Sequence, residues 1–222
     1  MGTYLLINLA IIAGPFGLSF LPWFRFYRRW PAVLAALAAV GALFIGWDVL
    51  VTWRGDWAFN PQYISGLKLL GLPVEEWLFF VTVPYSCLFL YEQMATYLRD
   101  ATVEINARLY FWLALACFTG ALLNTDRGYT CLVLALTGLI FLSARIYHER
   151  VFASRLFWWW MAICMLLFYG FNYILTALPV ISYAPAAVLG VRVGTIPLED
   201  FFYNFTMLTL YLAVYRRFRR PG

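Results

Sequence analysis

The sequence has few of the residues from which most enzymes build a metal or redox centre. It contains a single histidine, His148, and no CxxC pair; its four cysteines are Cys87, Cys117, Cys131 and Cys164. A histidine-based metal site or a Ser/His/Asp triad would need residues that this chain does not have, and no glycine-rich phosphate or dinucleotide fingerprint occurs. We therefore expect no metal and no cofactor, and we interpret the cysteines as small apolar core residues.

Charged residues are also scarce. They make up 12% of the 222 residues, against about a quarter in soluble domains, while 64% of the residues are hydrophobic. The only lysine, Lys68, lies outside the apolar runs and cannot supply a Schiff base within a helix, which argues against a retinal-binding receptor. The net charge of +5 is better explained by membrane topology than by nucleic-acid binding, and we expect no nucleic-acid partner.

Long apolar runs are abundant. A transmembrane helix needs about 17–25 mostly apolar residues. We identify seven such runs, at residues 3–24, 31–53, 74–98, 106–124, 128–147, 156–178 and 197–216. The sequence therefore predicts an all-α integral membrane protein with seven transmembrane helices in a single membrane domain, residues 1–222.

The distribution of basic residues predicts how the chain is inserted. No basic residue precedes the first apolar run, which is not the pattern of a cleavable signal peptide. Twelve of the 16 lysine and arginine residues follow odd-numbered runs, and the other four are Arg54, Lys68, Arg127 and Arg192. By the positive-inside rule we expect a multi-pass protein of the cell membrane with an external N-terminus and a cytoplasmic C-terminus. The basic tail RRFRR is then placed to contact anionic lipid.

The chain contains an internal repeat at an offset of 124 residues. Residues 47–91 align without a gap to residues 171–215, and eight of the 45 positions are identical. The identical pairs are Thr52/Thr176, Pro61/Pro185, Gly66/Gly190, Pro73/Pro197, Glu75/Glu199, Thr82/Thr206, Leu88/Leu212 and Tyr91/Tyr215. A shared membrane composition does not explain why proline, glycine and glutamate match within one motif.

The repeat predicts the organisation of the helices. Helices two and three correspond to six and seven, and helix one corresponds to five. Four helices separate equivalent elements, so the two three-helix repeats (helices 1–3 and 5–7) are parallel, with sites expected at their interface. Half one covers about residues 1–98, a linking helix four about 106–124, and half two about 128–218.

Each repeat carries a proline followed by two acids, in GLPVEEWLFF and GTIPLEDFFY. Proline suits the first position of a helix, so we expect Pro73 and Pro197 there, with the acids in the first turns of helices three and seven. Acids in a first turn also favour the helix dipole and often simply face water. Repetition of the motif in the same setting favours a functional role instead.

Paired acids of this kind could supply a proton. Adjacent helical residues diverge by about 100°, so one acid of each pair can face the interior of the bundle. Two inward carboxyl groups, one per repeat, would then approach each other. Apolar surroundings and a neighbouring carboxylate favour a protonated carboxyl group, whereas the helix N-terminus opposes this. If burial prevails, one glutamate becomes a general acid.

Two further acids lie within the apolar runs. Asp48, in FIGWDVLVTW, either reaches water near the helix end or faces the interior; its repeat partner, Asn172, is also polar, which favours the interior. We interpret Glu92 as structural.

Aromatic residues form 20% of the chain and include interfacial anchors, but they could also stabilise a carbocation.

The segment WDVLVTWRGDWAFNPQYISGLKLLGLPVEEWLFF, with PYSCLFLYE and IPLEDFFYNF, resembles the lycopene cyclase domain of the heterodimeric type. The resemblance is to the fused form, with both halves in one chain, and covers nearly all of it. It implies cofactor-independent, non-redox cyclisation of the ψ-ends of lycopene to β-ionone rings, giving γ-carotene and then β-carotene. Lycopene and related carotenoids, membrane lipid and other enzymes of the carotenoid pathway are the implied partners.

The resemblance also implies roles for individual residues. Glu75 and Glu199 are the expected proton-handling carboxyl groups, and Glu76, Asp200 and Asp48 are expected to tune or relay. Pro73 and Pro197 shape the two motifs. The implied substrate-binding residues are Phe79, Phe80, Phe201, Phe202, Asn60 and Asn172. The second copy departs from the first by having Asn172 in place of an aspartate and Ala184 in place of Asn60, so one acid pair could dominate.

Two alternatives stay open at this stage. Related cyclases act on elongated C50 carotenoids and place the ring double bond differently. A protein of a different class, a proton-coupled transporter or channel, would use paired carboxylates as a relay. The relay would need polar residues through the whole bundle, whereas here they are concentrated in the predicted external half.

Overall fold

The fold consists of α-helices joined by loops and short hairpins. A computed structural model describes residues 2–147 and 151–219, so His148 lies outside the described residues. The helices are α1 (Thr3–Leu18), α2 (Trp30–Arg54), α3 (Val74–Tyr97), α4 (Ala107–Leu122), α5 (Gly128–Tyr147), α6 (Arg155–Ala177) and α7 (Leu198–Phe218), and a 3₁₀ helix, Phe26–Arg29, precedes α2. Each predicted apolar run therefore contains a helix.

Four of these helices are long and apolar enough to cross a membrane. They are α2 with its preceding 3₁₀ turn, α3, α5 and α6, whereas α1 and α4 are apolar but have only 16 residues each. Sixteen residues span about 24 Å, less than a hydrocarbon core of about 30 Å. Seven membrane crossings therefore stay a prediction.

The first helix is shorter than the apolar run that predicts it. We expected a helix over residues 3–24, but α1 ends at Leu18. Proline disfavours a helical conformation in the residue before it, and Pro22 follows closely. The chain then turns through Arg25, whose φ of 47° is left-handed, before it enters the 3₁₀ helix. The prediction for residues 19–24 was wrong.

The helices form two compact units that do not coincide with the two sequence halves. The first unit contains residues 2–53, 59–99 and 207–219, and α1 packs against α3 within it. The second contains residues 54–58 and 100–206, and α4 packs against α5 within it. The helix α7 begins in the second unit and continues into the first.

The distribution of polarity within each unit is that of a protein in lipid. Large apolar side chains are exposed along the helices, among them Leu34 at 61%, Trp112 at 61% and Leu166 at 71%. Polar and acidic side chains are buried instead, among them Asn8, Asp48, Thr130 and Thr137. Exposed apolar surface of this extent is unusual in soluble monomers, and polar groups in membrane helices characteristically face the interior.

A β-hairpin precedes each acidic helix. Strand β2 (Lys68–Leu69) pairs with β3 (Leu72–Pro73), and strand β5 (Arg192–Val193) pairs with β6 (Ile196–Pro197). Both turns have two residues: Leu70 and Gly71 both have positive φ, as in a type I′ turn, whereas only Gly194 does in the second, as in a type II′ turn. The other two strands, β1 (Trp57–Phe59) and β4 (Ile181–Tyr183), pair with each other.

The hairpins correct the expected position of the prolines. Pro73 and Pro197 are the last residues of β3 and β6, and α3 and α7 begin one residue later, at Val74 and Leu198. Pro73 has a ψ of 145° and occupies the N-cap, so the expectation of a first helical residue was wrong. The proline has no N–H to donate, which suits a residue that both ends a strand and precedes a helix. The acids nevertheless lie in the first turns, as predicted.

Two prolines inside helices of the first unit release backbone carbonyl groups, and both carbonyls find new donors. Proline at position i removes the hydrogen bond to the carbonyl of residue i−4. Pro84 thereby releases the carbonyl of Phe80, which accepts a hydrogen bond of 3.1 Å from the Tyr211 hydroxyl. Pro15 releases the carbonyl of Ile11, which accepts one of 3.1 Å from the Ser86 hydroxyl. Such replacement is needed where no water can bind.

Candidate functional site

The first acid pair is buried at the start of α3. Glu75 is 1% exposed and Glu76 is 6% exposed. The Oε1 atom of Glu75 accepts a hydrogen bond of 2.6 Å from the backbone N–H of Ser65, in the loop before the hairpin. Its Oε2 atom is also buried and has no hydrogen-bond partner among the described residues. The Oε2 atom of Glu76 accepts 2.7 Å from the Tyr4 hydroxyl on α1.

Asn8 on α1 fixes the position of this acidic turn. Its side-chain amide donates to the backbone carbonyl of Glu75 at 3.1 Å, and its Oδ1 accepts from Thr82 at 2.6 Å. The backbone N–H of Tyr4 also donates to the carbonyl of Tyr63 at 3.0 Å. Both the start of α3 and the loop before it are therefore held against α1, which limits movement of Glu75.

The other acids of the first unit occupy different environments. Asp48 in α2 is 1% exposed, so it faces the interior and not water, and it interacts electrostatically with Tyr211. Glu92, about 17 residues along α3 from Glu75, contacts Arg29 at 3.4 Å and Arg219 at 2.7 Å. These ion pairs agree with a structural role for Glu92.

The second acid pair is buried at the start of α7. Glu199 is 2% exposed, and its Oε1 atom accepts two hydrogen bonds of 2.6 Å, from the backbone N–H of Leu189 and from the Thr130 hydroxyl on α5. Its Oε2 atom is buried without a hydrogen-bond partner among the described residues. One oxygen is thus anchored, while the other meets no donor in the part of the chain that the structure describes.

Both oxygens of Asp200 are occupied. Its Oδ1 accepts 2.8 Å from the Tyr129 hydroxyl, and its Oδ2 accepts 2.6 Å from the Tyr183 hydroxyl and 3.0 Å from the Asn172 amide. Three donors from three segments, α5, α6 and β4, meet at this one carboxyl group. Asp200 is therefore suited to hold the surrounding side chains in place.

Aromatic rings surround this second pair. Trp57 lies 5.1 Å from Tyr129 and 6.0 Å from Tyr183 between ring centroids, both edge to face, and Tyr203 lies 6.4 Å from Tyr129. Ring faces carry partial negative charge and attract cations. The arrangement therefore places cation-stabilising surface beside Asp200, within the second unit.

The internal geometry of the two acid pairs repeats at the sequence offset. Ser65 and Leu189, which donate backbone N–H groups to Glu75 and Glu199 at the same distance, are 124 residues apart. Thr82 and Thr206 likewise each contact a polar residue in the first helix of their own half, Asn8 and Thr137. Gly66 and Gly190, just after these donors, both have positive φ, 86° and 82°.

The residues expected to bind substrate have varied positions. Phe80 is 1% exposed and packs near Phe44, whereas Phe79, Phe201 and Phe202 are half-buried. The side chain of Asn60 accepts a hydrogen bond from the backbone N–H of Gln62, so it shapes a loop turn. Asn172 donates to Asp200, as above. Asn172 is thus the member of this set that hydrogen-bonds to an acidic side chain.

Several of the residues that contact the acids were not predicted from the sequence. These are Tyr4, Asn8, Ser65, Tyr129, Thr130 and Tyr183. Asn8 carried a signal, since an amide within the apolar run LLINLAII is costly unless it is bonded. Tyr4, Tyr129 and Thr130 were masked by the general abundance of such residues near helix ends. Among the described residues, no three His, Cys, Asp or Glu residues are grouped as a metal ion would require.

The fold and these sites define a helical membrane protein with a repeated, buried glutamate site. Two regions of the chain, residues 2–94 and residues 126–218, match the profile of the lycopene cyclase family. The chain belongs to this family, with both halves fused, and membership supports carotenoid cyclase activity. No curated protein and no solved structure matches the chain.

Proposed function

We propose that this protein is a lycopene β-cyclase, which converts the ψ-ends of lycopene to β-ionone rings and yields γ-carotene and then β-carotene. The observation that carries the proposal is the pair of anchored glutamates. In Glu75 and Glu199 alike, Oε1 is held by a backbone N–H and Oε2 is buried without a hydrogen-bond partner among the described residues. A general acid needs this combination of a fixed carboxyl group and an oxygen that can hold or release a proton.

The reaction balances without an oxidant or reductant. A glutamate Oε2–H gives its proton to the terminal double bond of a ψ-end, which forms a tertiary carbocation. The electron pair of the neighbouring double bond closes the carbon–carbon bond of the ring and moves the positive charge into the ring. Loss of a ring proton forms the new double bond, so one proton is taken up and one is released.

The second acid of each motif has a positioning role in this proposal. Asp200 binds Tyr129 and Tyr183, whose rings pack against Trp57. The ordered rings stabilise positive charge as it develops. Glu76, bonded to Tyr4, holds α1 against the first acidic turn in the same way. Substrate enters from the bilayer, since lycopene is a hydrocarbon, and we propose a multi-pass arrangement with an external N-terminus.

The test is expression in a host that accumulates lycopene, with pigments separated by chromatography. We expect cyclic carotenoids with the native sequence. Glu75→Gln and Glu199→Gln keep the size and the hydrogen-bonding capacity of the side chain but cannot donate a carboxyl proton, so each should lower conversion about 10²–10⁴-fold. Membrane-inserted protein is quantified in every strain.

Glu104→Gln is the matched control, since Glu104 lies in the exposed segment before α4 and should not affect conversion. Unchanged lycopene with a folded, membrane-inserted native chain would contradict the proposal. Full activity in both glutamine variants would show that the proton comes from another group. A C50 substrate cyclised in preference to lycopene would identify the C50 alternative.

A further inference from the structure

A second, unrelated site lies at the opposite end of α3 from Glu75. A cavity of about 250 Å³ is lined by Arg28, Arg29, Pro31, Ala32, Phe218 and Arg219, all in the first unit. At 1.5 Å per residue, Glu92 beside it lies about 25 Å along α3 from Glu75. With about 30 Å of bilayer hydrocarbon, such a separation puts the two sites near opposite membrane surfaces.

The cavity carries excess positive charge. Three arginines line it, and among the described residues Glu92 forms ion pairs with two of them, Arg29 and Arg219. Three positive charges and one negative charge leave a net charge of +2. Arg28 is exposed and makes no ion pair among the described residues; its guanidinium lies 6.0 Å from the Tyr27 ring centroid.

Glu92 holds two of the arginines in a defined geometry. Arg219 contacts both of its carboxylate oxygens, through Nε at 2.7 Å and Nη2 at 3.1 Å, and Arg29 contacts it through Nε at 3.4 Å. Each guanidinium has five N–H donors in a planar fork, which matches the geometry of phosphate oxygens. Arginines fixed in this way lose less conformational freedom when they bind an anion.

The apolar part of the lining favours a lipid over a free ion. Pro31, Ala32 and Phe218 complete the cavity, and the Phe218 side chain is 58% exposed. At about 30 Å³ per water molecule, the volume corresponds to roughly eight waters, enough for a headgroup but not for acyl chains. Phospholipid chains would then continue along the exposed apolar surface outside the cavity.

We propose that this cavity binds the phosphate group of an anionic phospholipid. The three arginines contact the phosphate oxygens, and the apolar rim contacts the start of the acyl chains. The charge distribution along the sequence places this end of the protein on the cytoplasmic side, where anionic lipids attract clustered basic residues. The proposal is independent of the proposed cyclase activity.

Native mass spectrometry of the full chain in mild detergent tests it, with titration of phosphatidylglycerol or phosphatidylcholine. We expect preferential binding of phosphatidylglycerol, and about fivefold weaker binding for Arg28→Gln, the effect of one arginine near an anionic surface. Arg217→Gln is the control, because Arg217 is exposed in the last turn of α7 and does not line the cavity. Arg28 is exposed and can be replaced without loss of the Glu92 ion pairs. The variant should therefore unfold at the same temperature as the native protein.

Three results would overturn the proposal. Equal affinity for the two lipids would show that the net negative charge of the lipid is not recognised. If Arg28→Gln and Arg217→Gln weaken phosphatidylglycerol binding equally, the lipid is attracted by the basic surface in general and not by a defined site. Displacement of phosphatidylglycerol by an equal concentration of inorganic phosphate would identify the ligand as a free anion.

Discussion

Tyr211→Phe should destabilise the first unit because of a proline on another helix. Pro84 lacks the N–H that would bind the Phe80 carbonyl, and the hydroxyl of Tyr211, which is 0% exposed, donates to that carbonyl at 3.1 Å. Phenylalanine fills the same space without the hydroxyl. The carbonyl is then left in the interior with neither a backbone nor a side-chain donor.

The loss of stability can be estimated from the cost of an unsatisfied buried polar group and from the strength of side-chain hydrogen bonds in membrane proteins. An orphaned buried polar group costs about 1–3 kcal/mol, whereas side-chain hydrogen bonds within membrane proteins average about 0.6 and reach about 1.7 kcal/mol. We expect Tyr211→Phe to lower the free energy of unfolding by about 1 kcal/mol. Pro84→Ala restores an N–H to the Phe80 carbonyl, so in that background the loss should nearly vanish.

A double-mutant cycle measured by detergent-induced unfolding of the purified protein tests this reasoning. Combining Tyr211→Phe with Pro15→Ala is the control, because Pro15 releases a different carbonyl, that of Ile11, which Ser86 binds. We expect a coupling of about 1 kcal/mol with Pro84→Ala and none with Pro15→Ala. Additive effects in the Pro84→Ala cycle would refute the pairing of Tyr211 with the released carbonyl.

Three further predictions concern the second unit. Thr130→Ala removes one of two donors to Glu199, so pigment conversion should fall about tenfold or more, while Thr130→Ser should retain activity. Tyr183→Phe removes one of three donors to the neighbouring aspartate, and conversion per unit of membrane-inserted protein should fall about tenfold; no change would contradict its positioning role. Gly194→Ala forces a side chain into φ 64° and should cost about 1–2 kcal/mol in detergent unfolding. Gly170→Ala, within α6 and with open space at its Cβ position, should be neutral or stabilising, and equal losses would exclude strain as the cause.

Helix positions were largely predictable because apolar length and residue type act locally. Residues 31–53 and 74–98 agree with α2 and α3 to within one residue at each end. The predicted end of the first helix was wrong because hydropathy contains no information about the backbone restriction before Pro22. The hairpins before the acidic helices escaped notice because two-residue strands carry no periodic signal.

The internal repeat identified the two glutamates, but it did not identify the residues that hydrogen-bond to them. Pro73, Glu75, Pro197 and Glu199 match at a fixed offset because these segments repeat without insertion. One contact from the first helix of each half departs from that offset, since Thr82 meets Asn8 while Thr206 meets Thr137. An ungapped alignment cannot show this difference of five residues, about one and a half helical turns.

The sequence by itself predicted a helical membrane protein of duplicated design with an acid pair at the start of one helix in each half. Composition, apolar length and rare matching residues are sufficient for that, because they depend on the chain alone. Only the tertiary structure decided that both acid pairs are buried, and that Oε1 of Glu75 and of Glu199 is anchored while Oε2 has no hydrogen-bond partner among the described residues. That distinction depends on donors up to 69 residues away, such as Thr130 on Glu199, whose approach is set by the rotation and packing of the helices.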